Sequence, residues 1–213
     1  MNEKLVVEKL IQRGETISSM ESCTGGYFAS TITCVSGSSK VLEFSAVTYS
    51  NEYKIKMGVN RTTIDMYSVY SNEVAEEMAK CISEFSKSSY GVGITGKINE
   101  VDPNNLVGAN NIVYVSIYCA KDNNFIDMEL VVPSDSRKKV KEFIVNNILK
   151  KLLEILEKKE YYVFFFFYGN SPNPDTTLLP PITLSPKILS GLFINLLLIT
   201  SCEDVPPSKF AAL

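Results

Sequence analysis

The chain has 213 residues, of which 45% are hydrophobic and 21% are charged, with a formal net charge of -3. This composition supports one globular core and excludes collagen-like and wholly disordered proteins. The absence of histidine excludes Ser-His-Asp triads, Cys-His pairs and imidazole general bases. The acidic balance gives no overall attraction for phosphate polymers, and the basic cluster at residues 137–141 is most simply a solvated helix face. We therefore expect no nucleic-acid partner.

Cysteine usage and the N-terminal sequence indicate the compartment. The five cysteines are an odd number and contain no Cys-x-x-Cys pair, which favours reduced thiols over a zinc ribbon or a disulfide framework. Charged residues interrupt the apolar ones over residues 1–11, which predicts an amphipathic first helix and not a signal peptide. We expect a cytoplasmic protein with no membrane association, no metal and no cofactor.

Predicted strands and helices alternate after this first helix. Strands are predicted at 15–21, 41–50, 90–96, 111–119 and 125–132, and helices at 27–35, from about Asn51, at 71–82 and at 136–156. The helix at 71–82 has the clearest start, because Ser71 is a good N-cap and acids fill the first turn. Asn51 is a plausible cap for the short helix that carries Lys54. The order predicts a single-domain α/β sandwich, in which helices cover both faces of a mixed β-sheet.

The composition changes near residue 160. The segment 161–213 carries five charged residues and seven of the nine prolines, so we divide the chain into a domain at 1–160 and an irregular, hydrophobic, Pro-rich tail. The apolar run at 188–199 is shorter than the roughly 20 residues that span a bilayer. Three interpretations stay open for the tail: an extension that packs on the core, a membrane-surface anchor, or unselected sequence such as a frameshift or read-through. The last is favoured, and we assign the tail no function.

Three short polar segments end or follow predicted strands, at 21–26, 48–54 and 93–96. Sites in open α/β sheets form outside strand ends, so these segments could meet. Each has a plain structural explanation when taken singly. Ser22 is most simply part of a capped turn, and a single lysine such as Lys54 usually lies on the protein surface. The glycines after Ser22 could instead let a phosphate approach the amides at a helix start.

Taken together, these segments resemble the C-terminal domain of the competence/damage-inducible CinA family and its stand-alone relatives, the nicotinamide-nucleotide amidohydrolases. The resemblance covers about residues 3–158 and is carried by Glu-Ser-Cys-Thr-Gly-Gly at 21–26, Val-Ser-Gly-Ser-Ser at 35–39, Val-Thr-Tyr-Ser-Asn-Glu at 47–52 followed by Lys54, Val-x-Ser at 69–71 leading into 72–75, and Gly-Ile-Thr-Gly at 93–96. It implies one α/β domain that hydrolyses the carboxamide of nicotinamide mononucleotide to nicotinate mononucleotide and ammonia.

The resemblance also implies roles for individual residues. Ser22 is the expected nucleophile and Lys54 its general base, while Tyr49 and Thr95 line the catalytic site. Substrate contacts are expected from Thr24, Gly25, Gly26, Ser38, Ser39, Asn51, Gly96 and Arg137. The residue inventory agrees with this chemistry, because a partly desolvated lysine can deprotonate a hydroxyl where no histidine exists. Backbone amides within residues 23–26 would then stabilise the oxyanion.

Two departures from the family pattern leave other functions open. Residues 97–111 replace a glycine-rich loop of the family. The family also commonly has two arginines before its last helix, and here Arg137 matches the first while Lys141 replaces the second. Cys23, beside the expected nucleophile, is interpreted as a small buried residue.

The alternative function is a non-catalytic nucleotide-binding or partner-binding member of the family. A DNA-associated competence factor gains no support from an acidic chain. We expect a homo-oligomer that binds a pyridine nucleotide.

Overall fold

The computed structural model describes residues 2–98, 105 and 110–168, with side chains described up to residue 157. Within these residues the chain forms six α-helices, one short 3-10 helix and five strands. In chain order they are α1 (Asn2–Arg13), β1 (Ile17–Glu21), α2 (Tyr27–Thr33), the 3-10 helix (Ser38–Lys40), β2 (Ser45–Val47), α3 (Asn51–Lys56), α4 (Arg61–Tyr67), α5 (Asn72–Ser86), β3 (Tyr90–Gly96), β4 (Ile112–Cys119), β5 (Asn124–Val131) and α6 (Arg137–Tyr168).

The five strands form one mixed sheet in the order β2-β1-β3-β4-β5. Strand β1 pairs in parallel with β2 and β3, with Glu21 opposite both Val47 and Ile94. Strands β4 and β5 continue the sheet in antiparallel fashion. The last residues of the three parallel strands therefore lie side by side at one edge of the sheet, where side chains from different segments can meet.

Helices cover both faces of the sheet, which confirms the α/β sandwich. One face packs Tyr90, Val92 and Ile94 of β3 against buried side chains of α1, α2 and α6. The opposite face of β3 presents Gly91 and Gly93 to α5. A Cβ atom on these glycines would lie 1.9 Å from Ala79 O and 2.1 Å from Ala75 O, so any side chain there would push α5 off the sheet. Close approach of α5 brings its N-terminus toward the edge where β3 ends.

Helix α6 is longer than expected. The sequence predicts its end at residue 156, whereas the helix continues to Tyr168 and passes through the expected domain boundary at residue 160. The chain divides into units of residues 1–170 and 171–213, and all described residues belong to the first. Most of the predicted tail lies outside the described residues. No helix in the described part of the chain is both long enough and apolar enough to cross a membrane.

Candidate active site

The three segments singled out in the sequence meet at the edge of the sheet, as predicted. Ser22 N donates to Ile94 O over 3.0 Å, which joins the end of β1 to β3. Thr48 N donates to Glu21 O over 2.8 Å, which joins the residue after β2 to the same strand end. Backbone pairing thus fixes the residue that follows β1 and the residue that follows β2 beside each other.

Ser22 and Lys54 are in direct contact at this edge. Lys54 Nζ donates to Ser22 Oγ over 3.0 Å and to Thr48 O over 2.8 Å. Both side chains are buried, with exposed fractions of 7% for Ser22 and 2% for Lys54. The expected hydrogen-bond contact between the two residues is therefore confirmed. A hydroxyl and an amine in this arrangement can exchange a proton without an intervening water.

Helix α3 sets the direction of Lys54. Ser50, and not Asn51 as expected, is the N-cap, because its side chain accepts from Tyr53 N. The first turn is closed by Lys54 N, which donates to Ser50 O over 3.2 Å. Asn51 is instead the first helical residue, and its Nδ2 donates to Oδ1 of Asn105 over 2.8 Å. Asn51 therefore links the start of α3 to a residue of the rebuilt loop.

A tight turn carries Ser22 into α2. Gly25 N donates to Ser22 O over 3.0 Å, and Gly25 and Gly26 have φ values of 61° and 90°, a left-handed conformation that favours glycine. A Cβ on Gly25 would lie 3.2 Å from Lys141 Nζ. Both glycines therefore have a backbone role, and Lys141 of α6 lies directly over the turn.

Glu21 is a site residue whose role the sequence reasoning missed. Its carboxylate is fully buried and accepts hydrogen bonds from three amides at the start of α2: Gly26 N at 3.0 Å, Phe28 N at 3.1 Å and Ala29 N at 2.9 Å. Ser19 Oγ donates to the same carboxylate over 3.2 Å. The sequence signal was an acid at the end of a buried strand, with a short turn between it and the next helix, since a buried charge requires partners.

This contact corrects the expectation that a substrate phosphate binds at the N-terminus of α2. The amide of Gly26, which the expectation required as a free donor, already donates to the Glu21 carboxylate. The amide of Gly25 donates to Ser22 O. A second anion beside the Glu21 carboxylate would also meet like-charge repulsion.

Ser38 and Ser39 are also not brought to the site. Ser38 O accepts from Val41 N over 2.9 Å, and Val41 O accepts from Ile17 N over 2.7 Å. Ile17 begins β1, whereas Ser22 follows its last residue. The 3-10 helix that contains Ser38 and Ser39 therefore lies at the opposite end of the parallel strands, and neither serine lies beside Ser22 within this chain.

Arg137 reaches the site from the first turn of α6. Its guanidinium donates through Nη1 to Ile98 O over 3.0 Å and through Nη2 to Tyr49 Oη over 3.3 Å. Tyr49 itself is 66% exposed. Lys141, one helical turn beyond Arg137, lies over Gly25. Two cations and an exposed aromatic ring therefore border the site on the α6 side.

Buried polar groups line the inner side of the candidate active site. Thr95 Oγ1 donates to Val69 O over 2.8 Å. Gly96 follows, and a Cβ there would lie 2.6 Å from the Cα of Val113, so packing alone requires this glycine. Among the described residues, the hydroxyls of Thr24 and Thr48 are buried without a hydrogen-bond partner. Orphaned buried hydroxyls are rare in proteins, and two beside Ser22 and Lys54 suit a polar ligand.

Two further groups complete the site. Burial raises the pKa of the Cys23 thiol to about 12, although the nearby Lys54 charge acts in the opposite direction. Cys23 is therefore a protonated, buried thiol at neutral pH, and the interpretation as a packing residue is supported.

Lys97, which sequence reasoning passed over, is 3% exposed and places Nζ 5.1 Å from the ring centroid of Tyr70. No group of three or more Cys, Asp or Glu side chains in the described segments is arranged to hold a metal ion.

Known proteins resemble this chain in sequence and in fold. The chain is 37% identical over 158 residues to a CinA-like protein of Flavobacterium psychrophilum, covering 72% of this chain and 35% of that protein. It is 43% identical over 95 residues to a CinA-like protein of Desulforapulum autotrophicum, covering 44% of this chain and 22% of that protein. The chain thus spans between about a fifth and about a third of the length of these relatives.

A competence or damage-inducible protein from Enterobacter asburiae has the same fold, with a TM-score of 0.67 at 22% identity over 73% of this chain and 96% of that one. The family model described as the CinA C-terminal domain matches residues 1–156. The residues matched include both members of the Ser22 and Lys54 pair and every strand of the sheet. This chain belongs to the CinA C-terminal domain family.

Proposed function

We propose that this chain is an amidohydrolase that converts nicotinamide mononucleotide to nicotinate mononucleotide and ammonia. The observation that carries the proposal is the buried contact of 3.0 Å between Lys54 Nζ and Ser22 Oγ. A lysine that served only as a surface charge would gain nothing from burial against a serine hydroxyl. A lysine that acts as general base requires this contact.

The second hydrogen bond of Lys54 sets the direction of proton transfer between Ser22 and Lys54. In the neutral amine, an N–H directed at Thr48 O leaves the nitrogen lone pair for the Ser22 hydroxyl. Ser22 Oγ attacks the carboxamide carbon as Lys54 Nζ takes the hydroxyl proton. The resulting ammonium then gives a proton to the leaving nitrogen, the C–N bond breaks, and ammonia departs. A nicotinoyl ester on Ser22 is left.

Water completes the reaction. Lys54, neutral again after protonating the leaving group, accepts a proton from a water molecule that attacks the ester carbonyl. The C–O bond to Ser22 breaks, the hydroxyl recovers its proton, and the product leaves as a carboxylate. The same lysine therefore serves both half-reactions, and the net change is one amide and one water converted to one carboxylate and one ammonium ion.

The oxyanion formed in each half-reaction requires donors beside Ser22. The amides of Gly25, Gly26, Phe28 and Ala29 already have acceptors. Within the described residues, neither the amide of Cys23 nor that of Thr24 donates to a backbone carbonyl. We assign the oxyanion hole to these two amides, which follow the nucleophile directly.

Arg137 and Lys141 are the proposed anchors for the substrate phosphate. Two guanidinium N–H groups of Arg137 are used by Ile98 O and Tyr49 Oη, and a guanidinium has five such donors. The exposed ring of Tyr49 offers a surface for the pyridine ring. Gly96, Thr95 and Asn51 border the remaining space. We place the activity in the cytoplasm, in a homo-oligomer that requires neither nucleic acid nor membrane.

Incubation of the full chain with a panel of pyridine nucleotides, with ammonia measured directly, tests the proposal. We expect release from nicotinamide mononucleotide and none after the substitution Ser22→Ala. The contact between Asn51 and Asn105 of the rebuilt loop favours one alternative, a non-catalytic nucleotide-binding or partner-binding protein in which this loop has abolished turnover. Tight nucleotide binding without ammonia release from any member of the panel would favour that alternative.

A further inference from the structure

Glu21 has more hydrogen-bond partners than a helix cap requires. One carboxylate oxygen accepts from the amides of Gly26 and Phe28, and the other accepts from the amide of Ala29 and the hydroxyl of Ser19. Its side chain is fully buried, and a buried carboxylate is stable only where donors replace its water. The positive end of α2 provides three of these donors.

The Glu21 carboxylate connects the two ends of the turn at residues 21–26, which contains Ser22. The backbone of Glu21 is fixed by pairing with Val47 and Ile94 on either side. Its side chain reaches forward five residues to the amide of Gly26. The segment between these two anchors is short and contains Ser22 together with the amides of residues 23 and 24. A displacement of the carboxylate therefore moves the nucleophile and the oxyanion donors together.

We propose that Glu21 is a positioning residue, which holds Ser22 Oγ against Lys54 and holds the amides of Cys23 and Thr24 toward the developing oxyanion. The inference rests on the proposed function, since it assigns Glu21 a part in that same reaction. Glu21 itself touches neither substrate nor water in this scheme. It acts through the turn, and misplacement of reacting groups by about 1 Å can lower a rate by about 10²-fold.

The substitution Glu21→Gln tests the inference with little change in volume. One carboxylate oxygen becomes an NH₂ group, which faces at least one amide N–H and leaves that amide without an acceptor. We expect kcat for ammonia release to fall by about 10²-fold while KM changes less than about threefold. The shape of the pH-rate profile should be retained, because the proposed base, Lys54, is unchanged in this variant.

Glu77→Gln is the matched control. Glu77 also uses its carboxylate near a helix start, where it accepts from Asn60 N over 2.7 Å and Thr63 Oγ1 over 2.6 Å, but at α4. A merely structural carboxylate should lower thermal stability without a selective loss of kcat, and we expect this of Glu77→Gln. Equal kcat losses in the two variants, or unchanged kcat in folded Glu21→Gln, would overturn the inference.

A second readout separates this inference from the proposed function. The rate at which a fluorophosphonate modifies Ser22, measured by mass spectrometry with Ser22→Ala as the blank, depends on the activated hydroxyl and not on the natural substrate. Slower modification in Glu21→Gln, in a protein that releases no ammonia, would support Glu21 and contradict the amidohydrolase. Unchanged modification would overturn the role of Glu21. Glu21→Asp, which keeps the charge but shortens the reach, replaces Glu21→Gln in both assays if the latter does not fold.

Discussion

Lys54 Nζ and Ser22 Oγ are joined by a 3.0 Å hydrogen bond although 32 residues separate them in the sequence. The contact results from two local structures, the turn after β1 and the first turn of α3, which parallel pairing of β1 and β2 brings together. The pair should therefore behave as one functional unit.

Ser22→Ala and Lys54→Met should each lower kcat by about 10³-fold or more, and the double variant should be little worse than either single one. Methionine is chosen because it fills most of the volume of a buried lysine. Lys56→Ala, on the exposed side of α3, is the control and should retain full activity. Additive losses in steady-state assays would show that Lys54 binds substrate without acting as the base of Ser22.

The sequence was sufficient to predict this pair because its members lie in motifs, at 21–26 and 47–54, that resemble those of the CinA C-terminal domain family. It was insufficient for Ser38, because the motif says nothing about which end of β1 the 3-10 helix occupies. It also missed Glu21, because three of its four partners are backbone amides, which the side-chain types of the turn do not specify. Helix α4 was not predicted, since its seven residues are too few for a clear helical period. Lys97 was passed over because a lysine after a strand is usually solvated.

Phosphate recognition should depend on α6. Arg137→Ala and Lys141→Ala should each raise KM for nicotinamide mononucleotide by about 10- to 100-fold, the value of a charge-assisted hydrogen bond. The exposed Lys138 gives the control variant Lys138→Ala, which should leave KM unchanged. Nicotinamide riboside, which lacks the phosphate, should be a much poorer substrate and insensitive to both substitutions. Equal kcat/KM for the riboside and the mononucleotide would contradict the assignment.

Cys23 should be dispensable for chemistry. Burial raises the pKa of its thiol to about 12, so the fraction present as thiolate is negligible at pH 8. We expect Cys23→Ala to keep kcat within about threefold of the wild type, and iodoacetamide at pH 8 to leave activity intact. The exposed Cys34 should be alkylated in the same experiment and so serves as an internal control. Loss of activity that coincides with modification of Cys23 would show a thiol mechanism.

Glu76 provides a test of stability against pH. Burial and the neighbouring Asp127 carboxylate raise its pKa, so the folded state holds this proton more tightly than the unfolded state. Stability from this group is present below the unfolded value and is lost as pH rises through the raised folded pKa. Glu76→Gln should therefore raise Tm at pH 7 and flatten its decline as pH rises past the unfolded pKa of a glutamate, whereas Glu84→Gln, beside Lys80, should not. A lower Tm for Glu76→Gln at pH 7 would contradict this prediction.

The last prediction is that a chain ending at residue 160 keeps both the fold and the activity. The buried side chains described for α6 run from Val140 to Leu156, and Arg13 Nη1 donates to Leu156 O over 2.9 Å. The described contacts that dock α6 on the core therefore lie before the truncation. The family match likewise ends at residue 156.

Thermal unfolding of the full chain and of the chain that ends at residue 160, with ammonia release as a second readout, measures whether fold and activity depend on residues 161–213. We expect Tm values within the few degrees that correspond to about 1 kcal/mol and equal kcat/KM. A chain ending at Tyr168 is the matched control, because it retains all of α6. A clear drop in Tm at residue 160 but not at 168 would place the last helical turns in the core, and a drop in both would show that residues 169–213 are an integrated part of the fold. Binding of the full chain, but not of either truncated chain, to anionic lipid vesicles would instead identify the tail as a membrane-surface anchor.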